Sequence, residues 1–423
     1  MYTTTLKRVI RNLQIFKGKE INNSSSSDFN KKLFYLIKKN NKKKIYNELT
    51  QYIDSLIYEK NKFNSQEKFY IKKTIQNVFS QNKKIFLTKR KEVSNTINII
   101  SLSGFGYSGT GAIHDFLRDS NNCIDALQGR ELDIFKYQFS LNDLYRKSIS
   151  KGKKINENEL YKFFFNHIMG LPFPKGVTED EINNRLVGSK ALIKAVLRLP
   201  EDKKRVDLVK DICLFINEIF NLVCVANQKS YLELISRNLL NNIGKYYKRY
   251  NKGYLIINNW IPASSIHLSN LLPKNTKVII CTRDSLDAYY SWSTECPRIK
   301  YNFKFLIFPY IFLYFIRHID YSKNFKLLDK KIKQDIAYIQ FEEFIKINID
   351  NNGKYIFRDL FKLDIKGKFN FVKFNPNQSI KNINIYERES TKNFVKFIAI
   401  RLNIILNYLL KSFGYWTYKK NNF

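Results

Sequence analysis

A short apolar, β-branched run leads straight into four closely spaced glycines and then into a helical pattern, an order that few folds accommodate. Ile97-Asn-Ile-Ile-Ser-Leu102 reads as a buried strand. Gly104-Phe-Gly-Tyr-Ser-Gly-Thr-Gly111 follows, and Ile113, Phe116 and Leu117 then fall at helical spacing. Strand, glycine turn and helix in this order make an anion cradle. Glycines let the backbone approach a ligand, amides point inward, and the helix dipole favours negative charge. Phosphate or sulfate binding is the expectation.

Further apolar runs at Tyr254–Ile257, Val278–Cys281 and Ala337–Phe341 are separated by helical patterns. Strands alternating with helices imply an α/β fold, a parallel sheet flanked by helices on both faces. No internal repeat is visible. A serine run, Ser24–Ser27, precedes Asp28, a good helix N-cap, and Phe29, Leu33, Leu36 and Ile37 then share a face. Residues 1–92 therefore read as a basic helical N-terminal region, and 93–423 as the α/β domain. The stretch Lys38–Lys44 reads as solvated surface.

Composition narrows the classes. The chain has 423 residues, enough for one large domain and an appendage, and its 44% hydrophobic content argues against disorder. A net charge of +36 suits a polyanionic partner, although heavy use of lysine throughout accounts for much of it. The five cysteines form no CxxC pair and read as buried thiols of a reducing compartment. The four histidines lack metal-ligand spacing, so no metal is expected. No secretory signal is read at the N-terminus. The apolar stretch Phe303–Ile316, broken by Lys304 and Pro309, is too short to span a bilayer and reads as a buried or substrate-side helix, with membrane-surface docking as the alternative.

The glycine turn leaves its ligand open. Gly104, Gly106 and Gly109 satisfy GxGxxG, and Glu131 stands about where a dinucleotide fold places its ribose acid. Gly104 and Gly109 also have Walker A spacing, but Thr110 replaces the lysine, which disfavours an ordinary ATP or GTP hydrolase. A second motif separates these readings. In Val278-Ile-Ile-Cys-Thr-Arg283-Asp-Ser-Leu-Asp-Ala-Tyr-Tyr-Ser291 a strand ends at an arginine and a helix opens near Ser285. An arginine at the carboxyl end of a strand meets ligands at the sheet's upper edge, and its planar fork suits phosphate. A salt bridge from Arg283 to Asp284 or Asp287 is the plainer alternative.

Here the sequence resembles a known family. SGFGYSGTGAIHDFL is similar to the 5′-phosphosulfate loop of sulfotransferases that use 3′-phosphoadenosine 5′-phosphosulfate (PAPS), and VIICTRDSLDAYYS to their 3′-phosphate motif, a strand-end arginine followed eight residues later by serine. Arg130-Glu131-Leu-Asp-Ile-Phe135 resembles the segment carrying the catalytic glutamate in glycosaminoglycan-type members. Phe374-Asn-Pro-Asn-Gln-Ser-Ile-Lys381-Asn382 resembles the family's C-terminal stretch near the cofactor. The resemblance implies a P-loop NTPase-like sulfotransferase fold. It further implies that Gly106, Tyr107, Ser108, Gly109, Thr110 and Gly111 hold the phosphosulfate, and that Arg283 and Ser291 hold the 3′-phosphate. Lys381 and Asn382 would lie nearby, with Glu131 as base. It points to a glycan or glycolipid acceptor, no nucleic acid, and a cytoplasmic place, with the inner membrane face as an option.

One position departs from the family. Tyr107 stands where the family has Lys or Arg to stabilise the leaving phosphate. Another cation then has to serve, with Lys190 and Lys194 as candidates, or the fold is catalytically dead. For Glu131 a charge pair with Arg130 competes with the role of base. His114, one residue after Ile113, is expected on the outer face of its helix. Two rivals remain: a dinucleotide-binding oxidoreductase, which leaves Arg283 and Ser291 unexplained, and a non-catalytic polyanion-binding protein resting on net charge.

Overall fold

The computed structural model describes residues 32–33, 35–36, 39, 41–58, 61–80, 97–129, 131–136, 139–150, 152–171, 191–295, 306–349, 373–388 and 393–412. The serine run, Asp28, Phe29, Ile37, Arg130 and Lys190 lie outside them. Helix α1 (Lys42–Ser55) and helix α2 (Ser65–Phe79) flank a two-stranded hairpin, β1 (Ile57–Tyr58) and β2 (Asn61–Lys62), which the sequence pattern does not announce. Lys43 and Lys44 are exposed, as a solvated stretch requires.

The chain then enters β3 (Asn98–Gly104), helix α3 (Thr110–Arg118) and β4 (Cys123–Asp125), a strand too short to show a pattern. Helices α4 (Leu192–Leu197) and α5 (Lys203–Asn221) precede β5 (Tyr254–Asn258) and β6 (Thr276–Thr282). Helices α6 (Ser285–Glu295) and α7 (Ile307–Phe325) lead to β7 (Ile336–Gln340), α8 (Phe341–Ile349) and finally α9 (Asn393–Ser412).

Strands β3 to β7 form one parallel sheet in the order β4-β5-β3-β6-β7, so the fold is α/β as expected. Period-two alternation divides each central strand between two cores. Ile99, Leu255, Ile257, Val278 and Ile280 enter the larger core, which also takes α1, α2 and α5. Ile100, Leu102, Ile256, Ile279 and Cys281 enter the smaller one, with Ile113, Phe116, Phe344 and Phe374. Burial on both faces explains why these strands read as continuous apolar runs.

The N-terminal helices are tied to the main body by charge as well as packing. Arg205 on α5 grips Glu67 of α2 with both sides of its fork, at 2.7 and 2.8 Å. Its remaining donors reach the carbonyls of Leu199 and Lys62. Glu67 also closes a capping box with Asn64 at the start of α2. Both partners of the ion pair are fully buried.

Topology places a crevice. From β3 the chain leaves toward β4 on one side, and from the neighbouring β6 toward β7 on the other. The carboxyl ends of β3 and β6 therefore border a switch point, the place where parallel α/β sheets bind ligands.

Candidate functional site

The glycine turn leaves β3 and Arg283 leaves β6 on either side of that crevice, with Gly104 and Cys281 paired in register just below. Gly106 and Gly109 have φ of +92° and +85°, in the left-handed region where glycine avoids the Cβ penalty. Each also faces a close neighbour. A side chain at 109 would enter the Phe341 ring, and a Cβ at 106 would lie 2.7 Å from Nη1 of Arg317. Tyr107 takes φ +53° without that freedom, a strain of about 1–2 kcal/mol held by the surrounding packing. Gly109 is the N-cap of α3 and supplies no side-chain cap. The Ala112 amide donates to the Gly109 carbonyl at 3.1 Å, which leaves the amides of Thr110 and Gly111 at the start of α3 for another acceptor.

Arg283 faces this turn. Nη1 donates to the Ser291 hydroxyl at 2.7 Å and to the Tyr107 carbonyl at 3.3 Å, and Nη2 donates to the Asn382 carbonyl. The guanidinium lies over the Phe341 ring, 4.7 Å from its centroid. The sequence alternative of a salt bridge does not form. Asp284 instead accepts from the amides of Leu286 and Asp287, and Asp287 from those of Asn384 and Tyr386. Arg283 is 8% exposed and its Nε has no hydrogen-bond partner. Burial pulls the Arg283 guanidinium below its ordinary pKa, against the opposing pull of Asp287 and Glu342. Burial likewise pushes the carboxyls of Asp287 and Glu342 up. The Ser108 hydroxyl is a second fully buried polar group without a partner.

Glu131 reaches the same turn through a residue that the sequence reading missed. Asn259, one residue beyond β5, donates to the Thr110 hydroxyl at 2.7 Å and to Glu131 at 3.3 Å. Glu131 is also paired with Lys136 at 2.8 Å. A polar residue just past a strand's carboxyl end was the available signal for Asn259.

The cation beside the loop is likewise not a sequence candidate. Arg317 on α7 donates to the Phe105 carbonyl and lies against Gly106. It stands in a row with Tyr310, which donates to the Gly106 carbonyl, and Tyr314, which donates to the Arg283 carbonyl. His318, next in the row, stacks on Phe105 at 3.9 Å, and burial with the nearby Arg317 charge pulls its pKa down to about 3. Helix α7, which takes in most of the apolar stretch read as a buried or substrate-side helix, thus packs on the turn, and the arginine directly after that stretch was the clue. Lys194 is elsewhere: it lies over the Tyr52 ring, and burial and Arg198 lower its pKa.

Other expectations need correction. His114 is not on an outer face; it is buried and bonded to Asp125 at 2.7 Å, with Asp115 at 3.6 Å, because the chain after β4 folds back over α3. Cys224 is exposed, whereas Cys123, Cys213 and Cys281 are buried free thiols, and Cys296 lies outside the described residues. The exposed Lys381 sits beside Asn382, whose backbone meets Arg283. No group of metal-ligating side chains occurs among the described residues. A surface pocket of about 610 Å³, lined by Arg146, Lys147, Ser150, Lys153, Lys154 and Glu159, shares no residue with the crevice. Comparison of the chain with family models, curated proteins and solved structures found no match.

Proposed function

We propose that the chain is a PAPS-dependent sulfotransferase of P-loop-like build. The observation that carries this reading is Arg283: a buried arginine, bonded to Ser291 and to the Tyr107 carbonyl of the glycine turn, with a donor to spare and no carboxylate ion pair. The partnerless Ser108 hydroxyl and the uncapped start of α3 fit an anion on the other side of the crevice. The strand order, with the loop-bearing strand central, supports the P-loop-like assignment.

In this reading the turn from Gly106 to Gly111 holds the phosphosulfate, and Arg283 with Ser291 holds the 3′-phosphate. Lys381 and Asn382 close the nucleotide end. Glu131, oriented by Asn259 and Lys136, takes the proton of the acceptor hydroxyl as its oxygen bonds to sulfur and the sulfur–phosphate oxygen bond breaks. Arg317 replaces the family's loop cation, supplying charge where the leaving phosphate develops it. The acceptor is a hydroxyl of a glycan or glycolipid, and the enzyme works in the cytoplasm.

The test is a thermal-shift comparison of 3′-phosphoadenosine 5′-phosphate, NAD and ATP. Selective stabilisation by the bisphosphate, lost in Arg283→Ala, is expected; stabilisation by NAD alone would move the chain to the oxidoreductases. Glu131→Gln should keep that shift and abolish sulfate transfer, and Arg317→Ala should lower turnover about a hundredfold.

A further inference from the structure

Helix α9 buries one face and leaves a second, equally apolar face in solvent. Ala399, Leu406 and Leu410 point into the protein, and Asn403 bonds Ser285 at 2.6 Å and Asp284 at 3.3 Å, directly after Arg283. On the opposite side Phe394, Phe397, Ile398, Ile404, Ile405 and Tyr408 form one stripe, with exposures of 38% to 73%. Their spacing is that of a single helical face. Water is a poor solvent for such a stripe, and exposed apolar patches of this kind mark docking surfaces.

The charge around the stripe selects the occupant. The helix sequence NFVKFIAIRLNIILNYLLKS contains no acidic residue. Arg401 stands at the centre of the stripe with its guanidinium over the Phe397 ring, 5.1 Å from the centroid, the posture of a side chain whose stem lies in an apolar phase and whose head seeks phosphate. Beyond the helix the sequence continues Phe-Gly-Tyr-Trp-Thr-Tyr-Lys-Lys, aromatic residues followed by two further cations. A second copy would bring the same +36 charge against itself. No helix among the described residues is long and apolar enough to cross a membrane, so the helix would lie on the surface rather than span it.

We propose that the outer face of α9 docks the protein on an anionic lipid bilayer. The apolar stripe enters the boundary between headgroups and acyl chains, and Arg401 meets lipid phosphate. Docking ties the membrane to the crevice through the bonds from Asn403 to Asp284 and Ser285.

Sedimentation of the full chain with vesicles of equal parts phosphatidylglycerol and phosphatidylcholine tests this. Binding is expected, weaker on pure phosphatidylcholine. The double substitution Phe397→Ser and Ile405→Ser should weaken it by about tenfold or more, because two large apolar side chains no longer enter the interface. Both residues are exposed, so the melting temperature and the nucleotide-induced shift should stay as in the parent. Binding that the double variant leaves unchanged would overturn the proposal in favour of general charge attraction. Absence of vesicle binding, with a dimer in sedimentation velocity that the same variant dissociates, would overturn it in favour of self-association.

Discussion

Two buried arginines in this molecule are satisfied in opposite ways. Arg205 has a carboxylate across its fork and carbonyls on its other donors, so its charge is cancelled inside the fold. Arg283 is held by a hydroxyl and two carbonyls, all neutral, and keeps an unused Nε. A buried cation without a hydrogen-bonded counter-charge costs stability unless something supplies the anion. Arg205 therefore reads as architecture, and Arg283 as a group kept ready for a ligand.

The comparison can be broken most directly at Glu67. Glu67→Ala leaves Arg205 buried and uncompensated and should destabilise the protein by about 3–5 kcal/mol in urea unfolding. Arg283→Ala should act on the ligand instead. It removes charge-assisted bonds worth about 1.5–3 kcal/mol, a loss of ten- to a hundredfold in affinity for 3′-phosphoadenosine 5′-phosphate by calorimetry, with a smaller change in stability. If Arg283→Ala unfolds the protein as Glu67→Ala does, the two arginines are both structural and the contrast is lost.

Gly109→Ala sharpens the picture of the ligand side. Its left-handed backbone and the Phe341 ring together predict a loss of about 1–2 kcal/mol, partly recovered when Phe341→Leu makes room. A double-mutant cycle by chemical denaturation measures that coupling. The smallest effect belongs to His114. Burial lowers its pKa, but the bonds to Asp115 and Asp125 outweigh this and hold it above the ordinary 6.5. Its stabilising contribution is therefore complete below about pH 6.5 and fades as pH rises through the folded value. The melting-temperature gap between the parent and His114→Gln should narrow correspondingly from acid to alkaline pH.

Much of this architecture is local chemistry. Val278–Cys281 and Ile97–Leu102 declare themselves as strands because both sheet faces are covered, and the glycine turn because its backbone needs left-handed residues. Arg283 and Ser291 are legible because the first turns of α6 fix their relation. Strand β4 is not, since three residues carry no period. His114 was misjudged because position on a helix says nothing of a loop that folds over it.

The sequence by itself determined the alternation of elements, the loop and the arginine at a strand end, each encoded in its own short local stretch. Tertiary structure alone decided that Asn259 would join Thr110 to Glu131 across intervals of 149 and 128 residues, that Arg317 would take the place beside the turn, and that Arg205 would be neutralised while Arg283 would not. The reason is physical: a side chain's partners and its distance from water are set by what folds against it, and no local pattern records that.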